Sequence, residues 1–259
     1  MTDGLPGLRG RRAVVTGGSR GIGRATAVGL AAAGASVGIA YRRDEEAARS
    51  ALEAMREAGV YPEARFWSYA GDLSRADAAA GLFDSVDREF GGLDVFVGNA
   101  GVWNEGSTPI DALEEDAWRA MLDANLTSAY RTTRAAVARM GEGGCIVLLS
   151  STAGQRGEAG HSAYAASKGA IISFVKSLAV ELGPRGIRVN AVAPGWVDTD
   201  MSASVLRRGS LEAVLREIPL GRVATAEDVA GPILFLASDL ASQITGEILN
   251  VNGGSVRCG

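Results

Sequence analysis

Tyr164 and Lys168 stand four residues apart in HSAYAASKGA, residues 161–170. The chain otherwise carries positive charge almost wholly as arginine, and Lys168 and Lys176 are its only lysines among 26 basic residues. On a helix this spacing puts both side chains on one face. A free phenol ionises near ~10, too high for efficient proton exchange at neutral pH, and a neighbouring ammonium favours the phenolate. Lysine does this as a compact point charge whose other donors can hold a ribose, whereas the arginine fork is wide and planar. Taken alone, the pair is equally consistent with packing along a helix surface.

A second group of residues points to a phosphate. The segment RRAVVTG (11–17) reads as a strand and runs through TGGSRGIG (16–23) into a helix. Gly17, Gly21 and Gly23 allow a tight turn and close approach of a pyrophosphate to the helix N-terminus. Their spacing is G-x-x-x-G-x-G rather than the general dinucleotide G-x-G-x-x-G, and a plain tight turn would also use these glycines. At the end of the second strand an acid would select the ribose hydroxyls of NAD. Here Tyr41-Arg42-Arg43 stands in that place, with Arg20 inside the glycine loop. Two guanidiniums suit a dianionic 2′-phosphate. Surface charge in an arginine-rich chain is the other reading of Arg42 and Arg43, and Asp44 is a ribose acceptor if the strand ends later. The balance favours NADP(H), with NAD(H) as the alternative.

The elements that must position these residues alternate strand and helix throughout. Strands are expected at 11–17, 35–41, 64–70, 93–99, 145–151, 187–194 and 246–253. Helices are expected at 22–33, 44–59, 76–90, 111–140, 162–182 and 226–237. The apolar strands imply one seven-stranded parallel sheet, buried on both faces by right-handed crossovers. The sequence therefore reads as a single doubly wound α/β domain of Rossmann type over residues 1–259. Residues 200–220 interrupt the rhythm and are expected to form a lid over the substrate pocket.

Composition limits the partners. A hydrophobic content of 47% supports a sizeable core, and the net charge of −4 argues against nucleic acid. No run of ~20 apolar residues spans a membrane. The first residues lack an apolar signal core, which points to a cytoplasmic protein. Cys145 and Cys258 have no metal-ligand spacing, so neither a disulfide framework nor a metal site is expected.

TGGSRGIG, NAG (99–101), Ser151, YAASK (164–168) and PGWVDT (194–199), in that order, resemble the short-chain dehydrogenase/reductase family from about Arg11 to Gly254. The family also uses the G-x-x-x-G-x-G loop. The resemblance implies that Ser151, thirteen residues before Tyr164, holds the substrate oxygen, while Ser150 points to the other side of the strand. It implies that Tyr164 is the acid in ketone reduction and the base in alcohol oxidation. Tyr164 and Lys168 would also contact the cofactor, with Lys168 lowering the tyrosine pKa and binding the nicotinamide ribose, and Asn125 would support a proton-relay water. For the cofactor it implies a binding loop of Gly17, Ser19, Gly21 and Gly23 with the Ile22 amide at the pyrophosphate, beside the Arg20 and Arg42 already read as the guanidiniums for the 2′-phosphate. Asp72 and Leu73 would lie at the adenine, and Asn99, Ala100 and Gly101 beside the adenosine. Pro194, Gly195, Val197 and Thr199 would hold the nicotinamide. Asn99 and Asn125 are also expected to tie neighbouring elements together.

The sole histidine, His161, reads as a pocket wall or helix N-terminal residue rather than the base. Arg131, Arg134 and Arg139 read as a solvated or subunit-facing surface. The family's helix pairing implies a homotetramer. Within the family the sequence looks most like 3-oxoacyl-carrier-protein reductases. Arg185 matches a basic position used toward the acidic carrier, yet Glu142 stands where a second basic residue is common and would oppose that partner. The expected activity is reduction of a small-molecule ketone, or oxidation of the alcohol, with a 3-oxoacyl thioester as one candidate. The alternatives are a sugar or small-alcohol dehydrogenase and a non-catalytic dinucleotide-binding regulator. The intact Ser–Tyr–Lys–Asn set argues against the last.

Overall fold

The apolar runs pair side by side. In the computed structural model, which describes residues 5–207 and 211–257, the strands are β1 (Arg12–Thr16), β2 (Ser36–Tyr41), β3 (Phe66–Ala70), β4 (Leu93–Gly98), β5 (Met140–Leu149), β6 (Arg188–Pro194) and β7 (Ile248–Val251). Among the described residues they form one seven-stranded sheet in the order 3-2-1-4-5-6-7, with every pairing parallel. Cys258 lies outside the described residues.

Alternation along each strand feeds two cores. Ala13 and Val15 join Val37, Ile39, Val95 and Val97 on one face. Val14, Phe96, Ile146 and Leu148 fill the other. The first face is covered by α1 (Gly21–Ala32), α2 (Glu45–Ala58) and α10 (Ala226–Ala237). The second is covered by α3 (Ala76–Phe90), α5 (Ser128–Val137) and α7 (Ser162–Leu182). Both faces are therefore dry, as a parallel sheet with helical crossovers requires.

This topology sets the position of the site. All strands run the same way, so the loops after β1, β2, β3, β4, β5 and β6 emerge along one edge. The strand order reverses between β1 and β4, and the crevice at such a reversal is where doubly wound sheets bind ligands.

Two expected boundaries differ. The helix expected over 111–140 is instead a 3-10 turn (Ile110–Ala112), α4 (Glu115–Leu122), a π turn (Asp123–Thr127) and α5. Asn125 lies in that π turn, where its side chain bonds the main chain of Val102 in both directions. Such side-chain bonding competes with regular helix. The fifth strand begins at Met140, paired with Leu93, and its register shifts before Cys145 pairs with Val95. Gly141-Glu142-Gly143-Gly144 fills that irregularity, which is why an apolar run is visible only from residue 145. Among the described residues, the 200–220 excursion holds two short helices, α8 (Ala203–Arg207) and α9 (Leu211–Arg216), and residues 208–210 of it lie outside the described residues.

Candidate active site

The glycine loop is shaped by backbone needs that only glycine meets at three places. Gly17 and Gly21 have φ of +66° and +51°, a left-handed region unfavourable to side chains. A Cβ on Gly23 would sit 2.1 Å from the carbonyl oxygen of Gly17. α1 therefore starts directly beneath the loop, and its N-cap residue Arg20 makes no side-chain cap, leaving the first amides to face the groove. These features fit a pyrophosphate: a close backbone cradle, free amides and the positive end of a helix.

Asn99 holds the cradle from the next strand. Its Nδ2 donates to the carbonyls of Thr16 (2.9 Å) and Gly17 (3.2 Å). The Thr16 hydroxyl in turn accepts from the amides of Asn99 (3.1 Å) and Ala100 (3.0 Å). Thr16 opens TGGSRGIG, but the sequence reading gives it no role in the site. The groove continues past Ser19, Ile22, Tyr41, Arg42, Asp72, Leu73, Ala100, Gly101 and Thr199. The Asp72 carboxylate accepts from the amide and hydroxyl of Ser74 (3.1 and 2.7 Å). Those bonds, with Arg42 and Arg43 nearby, hold it below the ordinary carboxylate range. Asp44 caps α2 by accepting from the amide of Ala47 (2.9 Å). The Arg20 guanidinium lies between Asp44 (3.8 Å) and Asp200 (3.4 Å).

A second cavity of about 480 Å³ adjoins this groove and shares Ile22, Asn99, Gly101, Val102, Thr199 and Met201 with it. Ser151, Tyr164, Lys168, Pro194, Gly195 and Val197 line it together. Ser151 ends the β5 segment and caps α6 (Thr152–Arg156), its oxygen accepting from the amide of Ala153 (3.2 Å). Its hydroxyl hydrogen is left to bond Tyr164. The adjacent Ser150 is buried and also borders the cavity, but its hydroxyl is committed to the carbonyl of Lys168 (2.8 Å). α6 lies against α7 because Gly154 has no side chain, since a Cβ there would meet the Lys168 carbonyl carbon at 2.5 Å.

Lys168 is buried and its Nζ donates to the carbonyl of Leu149 (2.9 Å). Loss of water around the ammonium pulls its pKa down to about 8. Tyr164 moves the opposite way: burial pushes it up to about 12, the Ser151 hydrogen bond lowers it less, and Glu158 adds to the rise. The expected lowering by Lys168 is therefore not what this arrangement shows. The ammonium lies 5.9 Å from the phenol ring centroid and is directed at Leu149. Tyr164 is consequently a protonated acid throughout the neutral range.

Asn125 is buried with its amide fully used. Oδ1 accepts from the Val102 amide (2.7 Å), and Nδ2 donates to the Val102 carbonyl (2.9 Å) and the Ser167 hydroxyl (3.2 Å). A Cβ at Gly101 would lie 3.1 Å from Asn125 Oδ1 and 3.3 Å from Lys168 Nζ, so both groups converge on that glycine. The tying role expected of Asn125 is thus visible in its contacts. His161 is the N-cap residue of α7 and stacks on Trp103, with ring centroids 5.1 Å apart and an interplanar angle of 18°. Trp103 and Trp196 line the cavity, as do Arg156, Glu158, Met201, Val205, Val214 and Glu217, none of which the motifs assign. Trp196 does lie inside PGWVDT and Trp103 two residues past NAG, but a motif names main-chain geometry, not the ring that follows it. Arg139 pairs with Asp87 (2.7 Å) and Arg185 donates to the carbonyls of Val137 and Met140 (both 3.0 Å).

Residues 17–255 match a family model described as Enoyl-(Acyl carrier protein) reductase. The chain is 38% identical, with a TM-score of 0.89, to the crystal structure of a short chain dehydrogenase from Burkholderia cenocepacia in complex with NADP, covering 96% of this chain and 98% of that one. This chain belongs to the short-chain dehydrogenase/reductase family. It is also similar to the 3-oxoacyl-[acyl-carrier-protein] reductase of Salmonella typhimurium, at 37% identity over 95% of this chain and 98% of that protein. The 3alpha-hydroxysteroid dehydrogenase of Mediterraneibacter gnavus is 39% identical over 96% of this chain and 98% of its own length. As a short-chain dehydrogenase/reductase it is an NAD(P)-dependent oxidoreductase acting on CH–OH groups. No helix among the described residues is long and apolar enough to cross a membrane.

Proposed function

We propose that this short-chain dehydrogenase/reductase interconverts a small ketone and its secondary alcohol with NADP(H), using Tyr164 as the acid and base. One observation carries the reading: Ser151, Tyr164 and Lys168 line one cavity that opens into the glycine-loop groove. On substrate binding the Ser151 hydroxyl hydrogen turns from Tyr164 to the substrate oxygen and fixes it beside the phenol. Tyr164 passes its proton to that oxygen as negative charge develops there, and Lys168 stabilises the resulting phenolate. When bound, the nicotinamide supplies hydride to the carbonyl carbon, or accepts it in the reverse direction. Pro194, Gly195, Val197 and Thr199 would hold that ring from the end of β6, and Lys168 would also reach its ribose.

NADP(H) is favoured because Arg42 lines the groove, while Asp44 is spent capping α2 and Asp72 is held by Ser74. Arg42→Ala is expected to weaken NADPH binding by about tenfold or more, the size of one lost charge-assisted bond. NADH binding should change by less than ~2-fold. Titrating both dinucleotides into both proteins checks this, and equal losses would refute the 2′-phosphate assignment. A 3-oxoacyl thioester is the substrate suggested by the relatives' names. Against a carrier-presented one stand Glu142 and the commitment of Arg185 to two main-chain carbonyls. The assembly proposed is a homotetramer, with the exposed Tyr130 of α5 and Val180 of α7 available for helix pairing.

A further inference from the structure

Part of the cavity wall is built from flat rings. Trp103 stacks on His161 with one face and meets Trp196 at 6.0 Å in an edge-on arrangement, 84° between planes. The stack is held on several sides. His161 Nδ1 lies 3.2 Å from the carbonyl of Ala159 and 3.6 Å from Glu158 Oε1. The loop carrying Trp103 is pinned to the turn before α7 by the Thr108 amide donating to the Gly160 carbonyl (2.8 Å). Both tryptophans line the cavity, so it presents a fixed apolar plane and an indole edge.

The same cavity offers little to an anion. Its two cations among the described residues are Lys168, buried and bonded to Leu149, and Arg156. Arg156 pairs with Glu217 of the 200–220 excursion at 3.2 Å, both side chains half-exposed. A carboxylate substrate would have to displace Glu217 and would face Glu158 as well. An uncharged ligand meets no such opposition.

Resting on the reading above, we propose that the carbonyl substrate is an uncharged, rigid-ring ketone whose ring lies against Trp103 and Trp196. A rigid ring gains an oriented aromatic contact beyond its buried area, whereas a flexible acyl chain gains area alone and loses rotamer freedom. His161 acts here as a positioning residue: it touches Trp103, not the reacting atoms.

The probes are 2-tetralone, ethyl acetoacetate and a 3-oxoacyl N-acetylcysteamine thioester. Wild-type protein with NADPH should show its highest kcat/KM on 2-tetralone. In Trp103→Leu the ratio of 2-tetralone to ethyl acetoacetate activity should fall at least about fivefold, the size of an aromatic contact, through KM more than kcat. His161→Ala should lower that ratio likewise, and His161→Phe, which restores a flat ring, should recover it; a purely structural role for His161 would not follow the ring. Calorimetric titration of 2-tetralone into protein saturated with NADP⁺, or into free protein should NADP⁺ not bind, gives a readout independent of turnover. Saturable binding weakened in Trp103→Leu supports the proposal. Absence of binding, a ratio unmoved by Trp103→Leu, or preference for the linear thioester overturns it, and reduction of the other ketones then leaves the NADP(H)-linked chemistry standing. Turnover of none of the three probes counts against that chemistry instead, with the binding titration still deciding the ring site.

Discussion

Replacing Tyr164 by phenylalanine is expected to lower NADPH-linked ketone reduction by about 10³-fold, within the range contributed by a positioned acid. The substitution keeps the ring and removes one oxygen. Packing on α7 is retained, as is Lys168 with its bond to Leu149. NADPH affinity should therefore move by less than ~2-fold, since the lost hydroxyl faces the substrate oxygen rather than the phosphates. Single-turnover loss of nicotinamide absorbance, with cofactor affinity measured separately, distinguishes a lost proton donor from a damaged site. The loss should exceed that of Ser151→Ala, because Ser151 only steadies the oxygen that Tyr164 protonates.

The second large effect concerns the cradle. In Gly23→Ala the new methyl would lie 2.1 Å from the Gly17 carbonyl oxygen and 2.6 Å from the Asn99 amide nitrogen that closes the loop. Neither is the free end of a flexible chain. The loop must open, at a stability cost of about 1–3 kcal/mol for an overpacked contact. NADPH affinity should fall by more than about tenfold, because 1.4 kcal/mol of misplaced amides already accounts for that factor. Gly231→Ala is the control. Gly231 sits exposed in α10 with nothing within 4 Å of its would-be Cβ, so the change should be neutral or stabilising by up to ~1 kcal/mol. Thermal unfolding and NADPH titration of the two variants check both statements.

The seven strands and most helices were legible because apolar runs in a parallel sheet are buried on both faces and bounded by glycine. Ser151, Tyr164 and Lys168 were legible through the family resemblance, since the Tyr–Lys spacing alone fits helix-surface packing equally well and Ser151 is placed only by its match to the family pattern. What escaped depends on contacts distant in sequence. The π turn at Asp123–Thr127 goes with the bonds between Asn125 and Val102, twenty-three residues away. Thr16 looked like an ordinary strand residue until the amides of Asn99 and Ala100 arrived at its hydroxyl. His161 was read as a wall or a helix start, and it is the N-cap of α7 and the backing of a wall residue. The direction of the Tyr164 shift differs from the expectation because spacing gives proximity to Lys168 but not the water lost on burial, which is the largest influence on the phenol.

That balance leads to the most direct test. With Tyr164 pushed up to about 12 and Lys168 down to about 8, only the lysine changes charge in the range where reduction can be assayed. The sign follows: below the lysine pKa the ammonium stabilises the phenolate left by proton transfer, and above it that charge is gone. The measurement is kcat/KM for ketone reduction from pH 6 to 10 in wild type and in Lys168→Arg, whose guanidinium stays charged. The account predicts a wild-type rate that is level at low pH and falls above about 8, approaching tenfold per pH unit for loss of one required proton, with that fall absent from Lys168→Arg even if its plateau is lower. A wild-type profile flat to pH 10, or an identical fall in Lys168→Arg, would contradict a Tyr164–Lys168 proton-transfer centre.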